Sequence, residues 1–171
     1  FAEGLDDPKG IVATGDALYV ADKTKIVKID YKGKVSEFAD AKKFPKPPMF
    51  LNDVAVDPTG TTLFVSDSGD LKGAGGAVYR ANIKSGKIDT VVNAENLPEL
   101  NTPNGITLDG ETHLLLADFG SGALYRIKLA DKSAKKIADG FDGGDGLTWD
   151  MFGQLFITSW KTGQVFGISR P

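Results

Sequence analysis

One motif recurs four times along this 171-residue chain, and that repetition restricts the architecture more than any other feature. The copies open with Pro8-Lys9-Gly10-Ile11-Val12, Leu51-Asn52-Asp53-Val54-Ala55, Pro103-Asn104-Gly105-Ile106-Thr107 and Gly144-Asp145-Gly146-Leu147-Thr148. Their second residues, Lys9, Asn52, Asn104 and Asp145, are 43, 52 and 41 residues apart. A polar turn follows each opening, and then an apolar run: Leu18-Tyr19-Val20-Ala21-Asp22, Leu63-Phe64-Val65-Ser66-Asp67, Leu114-Leu115-Leu116-Ala117-Asp118 and Leu155-Phe156-Ile157-Thr158-Ser159. A third run closes every copy, at 25–29, 77–81, 123–127 and 164–168. A fourth appears in three of them, at 35–38, 88–92 and 134–137.

Runs this short, rich in β-branched and aromatic residues and bounded by turns such as Asp57-Pro58-Thr59-Gly60 and Asp109-Gly110, predict strands. Four strands per unit of about 40 to 45 residues is the pattern of a β-propeller blade, which buries its faces only against neighbouring blades. The expected fold is therefore all-β, a propeller domain with units at about 5–41, 48–95, 100–141 and 142–171. A sandwich of hairpins is the alternative, and the joint recurrence of register, turn position and strand order favours the propeller. Phe1-Ala2-Glu3-Gly4 resembles the end of a fourth strand, while the last unit stops after its third. Either these residues supply the missing strand and close a small ring, or the sequence is a segment of a larger propeller.

Composition narrows the chemistry. Lys and Arg number 20 against 23 Asp and Glu, for a net charge of −3 with no basic stripe, which argues against a nucleic-acid or anionic-membrane partner. No apolar run approaches the roughly 20 residues that span a bilayer, so the sequence reads as soluble. Cysteine is absent, which removes thiol nucleophiles and thiolate metal sites and leaves the compartment open, secretion and the periplasm included. The single histidine, His113, excludes multi-histidine metal sites and sits at a turn, where a structural role is expected. What remains is oxygen chemistry, suited to a hard cation such as Ca2+.

Lys9, Asn52, Asn104 and Asp145 each stand just before an expected first strand. First strands line the channel of a propeller, so these side chains are expected to meet at one end of it. Three of them carry oxygen, and together they could hold calcium; the competing reading is that Asn and Asp cap the turn into the strand. The proline-rich stretch 42–50 reads as a stiff connector, with a lid over the channel as the alternative. The stretch 68–76 reads as a wide hairpin loop. Most aromatics, including Tyr19, Phe64, Tyr79, Tyr125, Phe156 and Phe166, recur at matching positions as blade packing requires.

The motifs Leu51-Asn52-Asp53-Val54, Pro103-Asn104-Gly105-Ile106 and Asp145-Gly146-Leu147-Thr148-Trp149-Asp150, with Gly153-Gln154-Leu155-Phe156-Ile157 and Trp160, resemble the gluconolactonase and regucalcin (senescence marker protein) family of six-bladed propellers. The likeness covers nearly the whole chain. It implies a six-bladed ring of roughly 260 residues, of which this chain corresponds to about four blades. It also implies calcium-dependent hydrolysis of a lactone or sugar-acid derivative. In that reading Asn104 is a metal ligand and Asp145 is both ligand and general base. Asn52 lies near substrate and metal, and Trp160 follows a second strand near the channel mouth, where it either packs or contacts substrate. The family's Glu ligand, in a Glu-Gly-Pro opening of its first blade, has no counterpart here; Lys9 occupies the equivalent place in what resembles the family's second blade. A non-catalytic binding or scaffold propeller is the other function this sequence suits.

Overall fold

Continuous apolar runs form strands buried on both faces, because successive side chains of a strand point to opposite sides of its sheet. The computed structural model describes residues 1–169. It places the first unit as an antiparallel sheet of β1 (Pro8–Ala13), β2 (Ala17–Asp22), β3 (Lys25–Asp30) and β4 (Val35–Ala39), in that order. The second holds β5 (Leu51–Val56), β6 (Thr62–Asp67), β7 (Ala77–Asn82) and β8 (Ile88–Asn93). The third holds β9 (Pro103–Asp109), β10 (His113–Asp118), β11 (Leu124–Lys128) and β12 (Ala134–Ala138). The fourth, among the described residues, holds β13 (Gly144–Trp149), β14 (Leu155–Ser159) and β15 (Gln164–Ile168). These are four successive blades of a β-propeller, and β1, β5, β9 and β13 pack in sequence as its inner strands.

Alternation along each second strand serves two interfaces at once. Tyr19 and Ala21 of β2 join Leu63, Val65 and Tyr79 between the first and second blades. Phe64 and Val78 point the other way and join Leu114, Leu116, Tyr125 and Ile127 between the second and third. Leu115 and Leu124 then join Leu155 and Ile157 between the third and fourth. Each large side chain buried this way contributes roughly 1.5–3 kcal/mol. A single blade has no such contacts of its own, so stability is a property of stacked neighbours.

The first five residues do not pair with β15. Ala2 and Leu5 instead cover Val20, Val27 and Ile29 on the outer face of the first blade, and among the described residues β14 is the only strand paired with β15. The stretch 42–50 is a connector held down on the core. Asp40 caps a short 3-10 turn at Ala41–Lys43, and Phe44 is buried edge-on against Tyr79, 5.0 Å between ring centroids. The Tyr79 hydroxyl donates to the carbonyl of Lys46 at 3.2 Å. Phe44 anchors the first half of this segment in the core, as a connector requires.

One repeated hydrogen-bonding device fastens the blades. A buried aspartate ends β2, β6 and β10 and accepts backbone N–H groups from the segment leading into the inner strand of its own blade. Asp22 accepts from Asp6 and Asp7, and Asp67 from Met49 and Phe50. Asp118 accepts from Asn101 and Thr102 and from Gly120 and Ser121. These charge-assisted bonds satisfy loop donors that strand pairing leaves over. In the fourth blade Ser159 takes the position and donates to the carbonyl of Asp142 at 2.5 Å.

Candidate functional site

The four inner strands share one irregularity. Each advances three residues while its partner advances two, between Pro8 and Ile11, Leu51 and Val54, Pro103 and Ile106, and Gly144 and Leu147. The two residues facing one in each bulge are Lys9-Gly10, Asn52-Asp53, Asn104-Gly105 and Asp145-Gly146. The candidate site residues therefore lie inside the strands, and the expectation that they precede them is corrected. A bulge leaves a residue unpaired and re-aims its side chain, here toward the channel end. Lone glycines inside strand patterns are the sequence signal for it.

The opposing residue of each bulge is Ala21, Ser66, Ala117 or Thr158. Where it carries a hydroxyl, that oxygen accepts the bulge's second N–H: Asp53 to Ser66 at 2.9 Å, and Gly146 to Thr158 at 2.8 Å. Where the second bulge residue is Gly10 or Gly105, the next blade presses against it. A Cβ on Gly105 would lie 1.7 Å from the Asp145 carbonyl oxygen, and one on Gly10 would lie 2.5 Å from the Asp53 carboxylate. Glycine at these positions sets the distance between adjacent inner strands.

The bulges bring Lys9, Asn52, Asn104 and Asp145 around two adjoining cavities of about 470 and 280 Å3 at one end of the channel. Asn104 is buried, while Asn52 and Asp145 are half-buried. The Asn52 side-chain amide donates to Ser68 Oγ at 3.1 Å, and that hydroxyl donates to the carbonyl of Pro103 at 2.7 Å, which links the second blade to the third. Burial holds the Asp145 carboxyl above the usual carboxylate range, while a hydrogen bond from the Asn104 side chain opposes the shift. The Lys9 ammonium pairs with the Asp7 carboxylate and lies over the Phe50 ring, 5.5 Å from its centroid.

Asp53 belongs to this site and was not among the residues singled out from the sequence. It stands where the other three bulges carry glycine. Its carboxylate accepts the N–H of Val54 at 2.8 Å and the N–H of Ile106, on the next blade, at 2.9 Å. Burial pushes it up to about 6 against those hydrogen bonds, with the charge of Asp145 adding to the rise. The signal was legible: three copies read X-Gly and one reads Asn-Asp. Phe50, Leu71 and Phe119 also line the larger cavity, beside the expected Trp160.

Trp149 lies away from this end, its indole donating to the carbonyl of Leu108 at 2.7 Å across the blade boundary. His113 begins β10, half-buried, with Nδ1 2.9 Å from the Thr112 hydroxyl. The loop after β6 is closed by Asp70, whose N–H donates to the Ala74 carbonyl and whose side chain accepts from Lys72 and Ala74. Among the described residues no three His, Cys, Asp or Glu side chains converge, and no helix is long and apolar enough to cross a membrane.

Residues 4–170 match the family described as the SMP-30/gluconolactonase/LRE-like region. The chain belongs to that family. No curated protein matches it in sequence. Among solved structures, the SMP-30/gluconolactonase-type chain is similar to one in a nidogen/laminin complex, at 18% identity and a TM-score of 0.81, covering 98% of this chain and 61% of that one. It is also similar to virginiamycin B lyase from Staphylococcus aureus, at 16% identity and a TM-score of 0.67, over 96% and 56% of the two chains. A presumed gluconolactonase is matched at 21% identity and a TM-score of 0.65, over 88% and 59%. These likenesses are of fold, and the chain spans under two thirds of each structure's length.

Proposed function

We propose that the channel mouth is a hydrolase site for a small cyclic ester, a lactone, with Asp145 as general base. The observation that carries this reading is the half-buried Asp145 carboxylate, raised by burial and hydrogen-bonded by Asn104, on the polar floor of a cavity in a chain of the SMP-30/gluconolactonase family. A carboxylate whose pKa is raised is, in its ionised form, a stronger base. In the proposed step Asp145 takes a proton from water as its oxygen bonds to the lactone carbonyl carbon. The ring C–O bond then breaks, and the proton passes to the departing ring oxygen, giving a hydroxy acid. The side-chain amides of Asn52 and Asn104 orient the carbonyl.

Asn52, Asn104 and Asp145 are hard oxygen donors, and in kind they fit Ca2+ or another divalent cation. They would supply three of the six to eight oxygens such an ion takes, Asn104 and Asp145 as the ligands the family resemblance implies and Asn52 as a third. When bound, the cation would polarise the carbonyl as a Lewis acid.

A second reading, a non-catalytic binding propeller, draws on Lys9, whose ammonium shares the cavity with Asp145 and opposes a cation there. Turnover of a simple aldonolactone by the parent protein, Asp145→Asn and Asn52→Ala separates the two. On the lactonase reading Asp145→Asn stays folded and loses about 10² to 10⁴ in kcat, while Asn52→Ala mainly raises KM. A folded Asp145→Asn variant with full activity would transfer the case to the binding module.

A further inference from the structure

The position following each second strand is occupied by Lys23, Ser68, Phe119 and Trp160 in turn. Four such different residues at one repeated place mean that the fold does not dictate its chemistry. Two consecutive blades nevertheless place aromatic rings there, and the rings touch across the blade boundary, with centroids 6.1 Å apart and planes inclined by 46°. Their backbones are pinned, Phe119 N–H to the Thr102 carbonyl at 2.9 Å and Trp160 N–H to the Gly143 carbonyl at 2.8 Å. Trp160 remains 74% exposed, so folding gains little from its indole. Leu71, 55% exposed and held at φ +62°, lines the same cavity from the long loop after β6, and Phe50 lines it beneath Lys9.

The larger cavity thus has a polar floor and apolar walls. Its volume of about 470 Å3 falls in the range of small-molecule sites. A polyhydroxylated sugar lactone can lay one C–H face on the Phe119–Trp160 pair. Those of its hydroxyls that then face Leu71 or Phe50 meet side chains that offer no hydrogen bond, and their desolvation goes uncompensated. A ligand with one polar end and one flat apolar end meets both halves of the cavity.

We propose that this site selects lactones or esters bearing a flat apolar ring, which lies on Phe119 and Trp160 while the ester carbonyl faces Asn52, Asn104 and Asp145. The choice of ester chemistry rests on the lactonase reading above, whereas the preference for an apolar ring rests on the rim.

Binding of two lactams that are not turned over tests it, read by the emission of the exposed Trp160: 5-phenyl-2-pyrrolidinone and glucono-δ-lactam. The phenyl lactam is expected to saturate the signal at a tenfold or more lower concentration. Phe119→Ala is expected to weaken the phenyl lactam about 5-fold and the sugar lactam by less than about 2-fold, as the loss of one aromatic contact implies. Should Phe119→Ala melt early, Trp160→Leu, at an exposed position, carries the same comparison by calorimetry. Equal or tighter binding of the sugar lactam, or a variant that weakens both lactams alike, overturns the proposal. A protein that binds the phenyl lactam as expected but hydrolyses nothing refutes the lactonase reading alone. One that hydrolyses aldonolactones and ignores the phenyl lactam refutes the apolar preference alone.

Discussion

The Asp53 carboxylate on β5 accepts the backbone N–H of Ile106 on β9 at 2.9 Å, joining two blades through a charged group next to Asn52. Its other oxygen accepts the N–H of Val54, and the Asp145 charge raises it further.

That arrangement predicts a pH dependence. An acid whose folded pKa is raised, here from 3.8 to about 6, binds more protons folded than unfolded between those values. Its contribution to stability therefore falls as pH rises through this window and is flat outside it. In chelator, Asp53→Asn should remove this component and melt higher than the parent at pH 8, while the two converge at pH 4. Thermal melts across pH 4 to 8 measure it, and a parent-minus-variant difference independent of pH would contradict it.

Asp118 is fully buried and accepts four backbone N–H groups, so its loss strands several donors at once. Asp118→Ala should cost about 3 kcal/mol or more in denaturant unfolding, as buried unsatisfied donors do. Asp118→Asn keeps the shape and some of the acceptors and should cost roughly half as much. Similar midpoints for both variants and the parent would show that the clasp contributes little.

Gly105→Ala tests the close approach of β9 and β13. Its Cβ would meet the Asp145 carbonyl oxygen at 1.7 Å, so β13 has to move, and overpacking of this kind costs about 1–3 kcal/mol. Displacing Asp145 by about 1 Å should also lower lactone turnover by about 10²-fold. Gly15→Ala, with nothing within 4 Å, is the matching control and should leave stability and turnover unchanged.

If Asn52, Asn104 and Asp145 hold calcium, the ion stabilises the folded state by RT ln(1 + [Ca2+]/Kd), about 2.7 kcal/mol at a hundredfold excess over Kd. Differential scanning calorimetry should show a higher Tm in millimolar calcium than in chelator, and Asp145→Asn should abolish most of the shift. An unchanged Tm for the parent would argue against a cation at these residues.

The blades were legible from the chain because strand patterning is local. Short apolar runs such as Leu18-Tyr19-Val20-Ala21 or Leu63-Phe64-Val65-Ser66 mark strands buried on both faces, and the fourfold recurrence required those strands to stack. The same recurrence brought Asn52, Asn104 and Asp145 together on paper, since equivalent positions of a propeller share one end of its channel. What tertiary structure alone decided is how those residues are presented. The bulges that turn them toward the channel depend on the register between neighbouring strands. The role of Asp53 depends on how closely β9 lies to β5, and the rise in its pKa on burial that only the assembled blades create. Phe119 and Trp160 likewise stand 41 residues apart in sequence and become one aromatic surface only when two blades meet. Periodicity reports which face a side chain takes within its own strand. Distances between strands of different blades are set by packing, and no single segment encodes them.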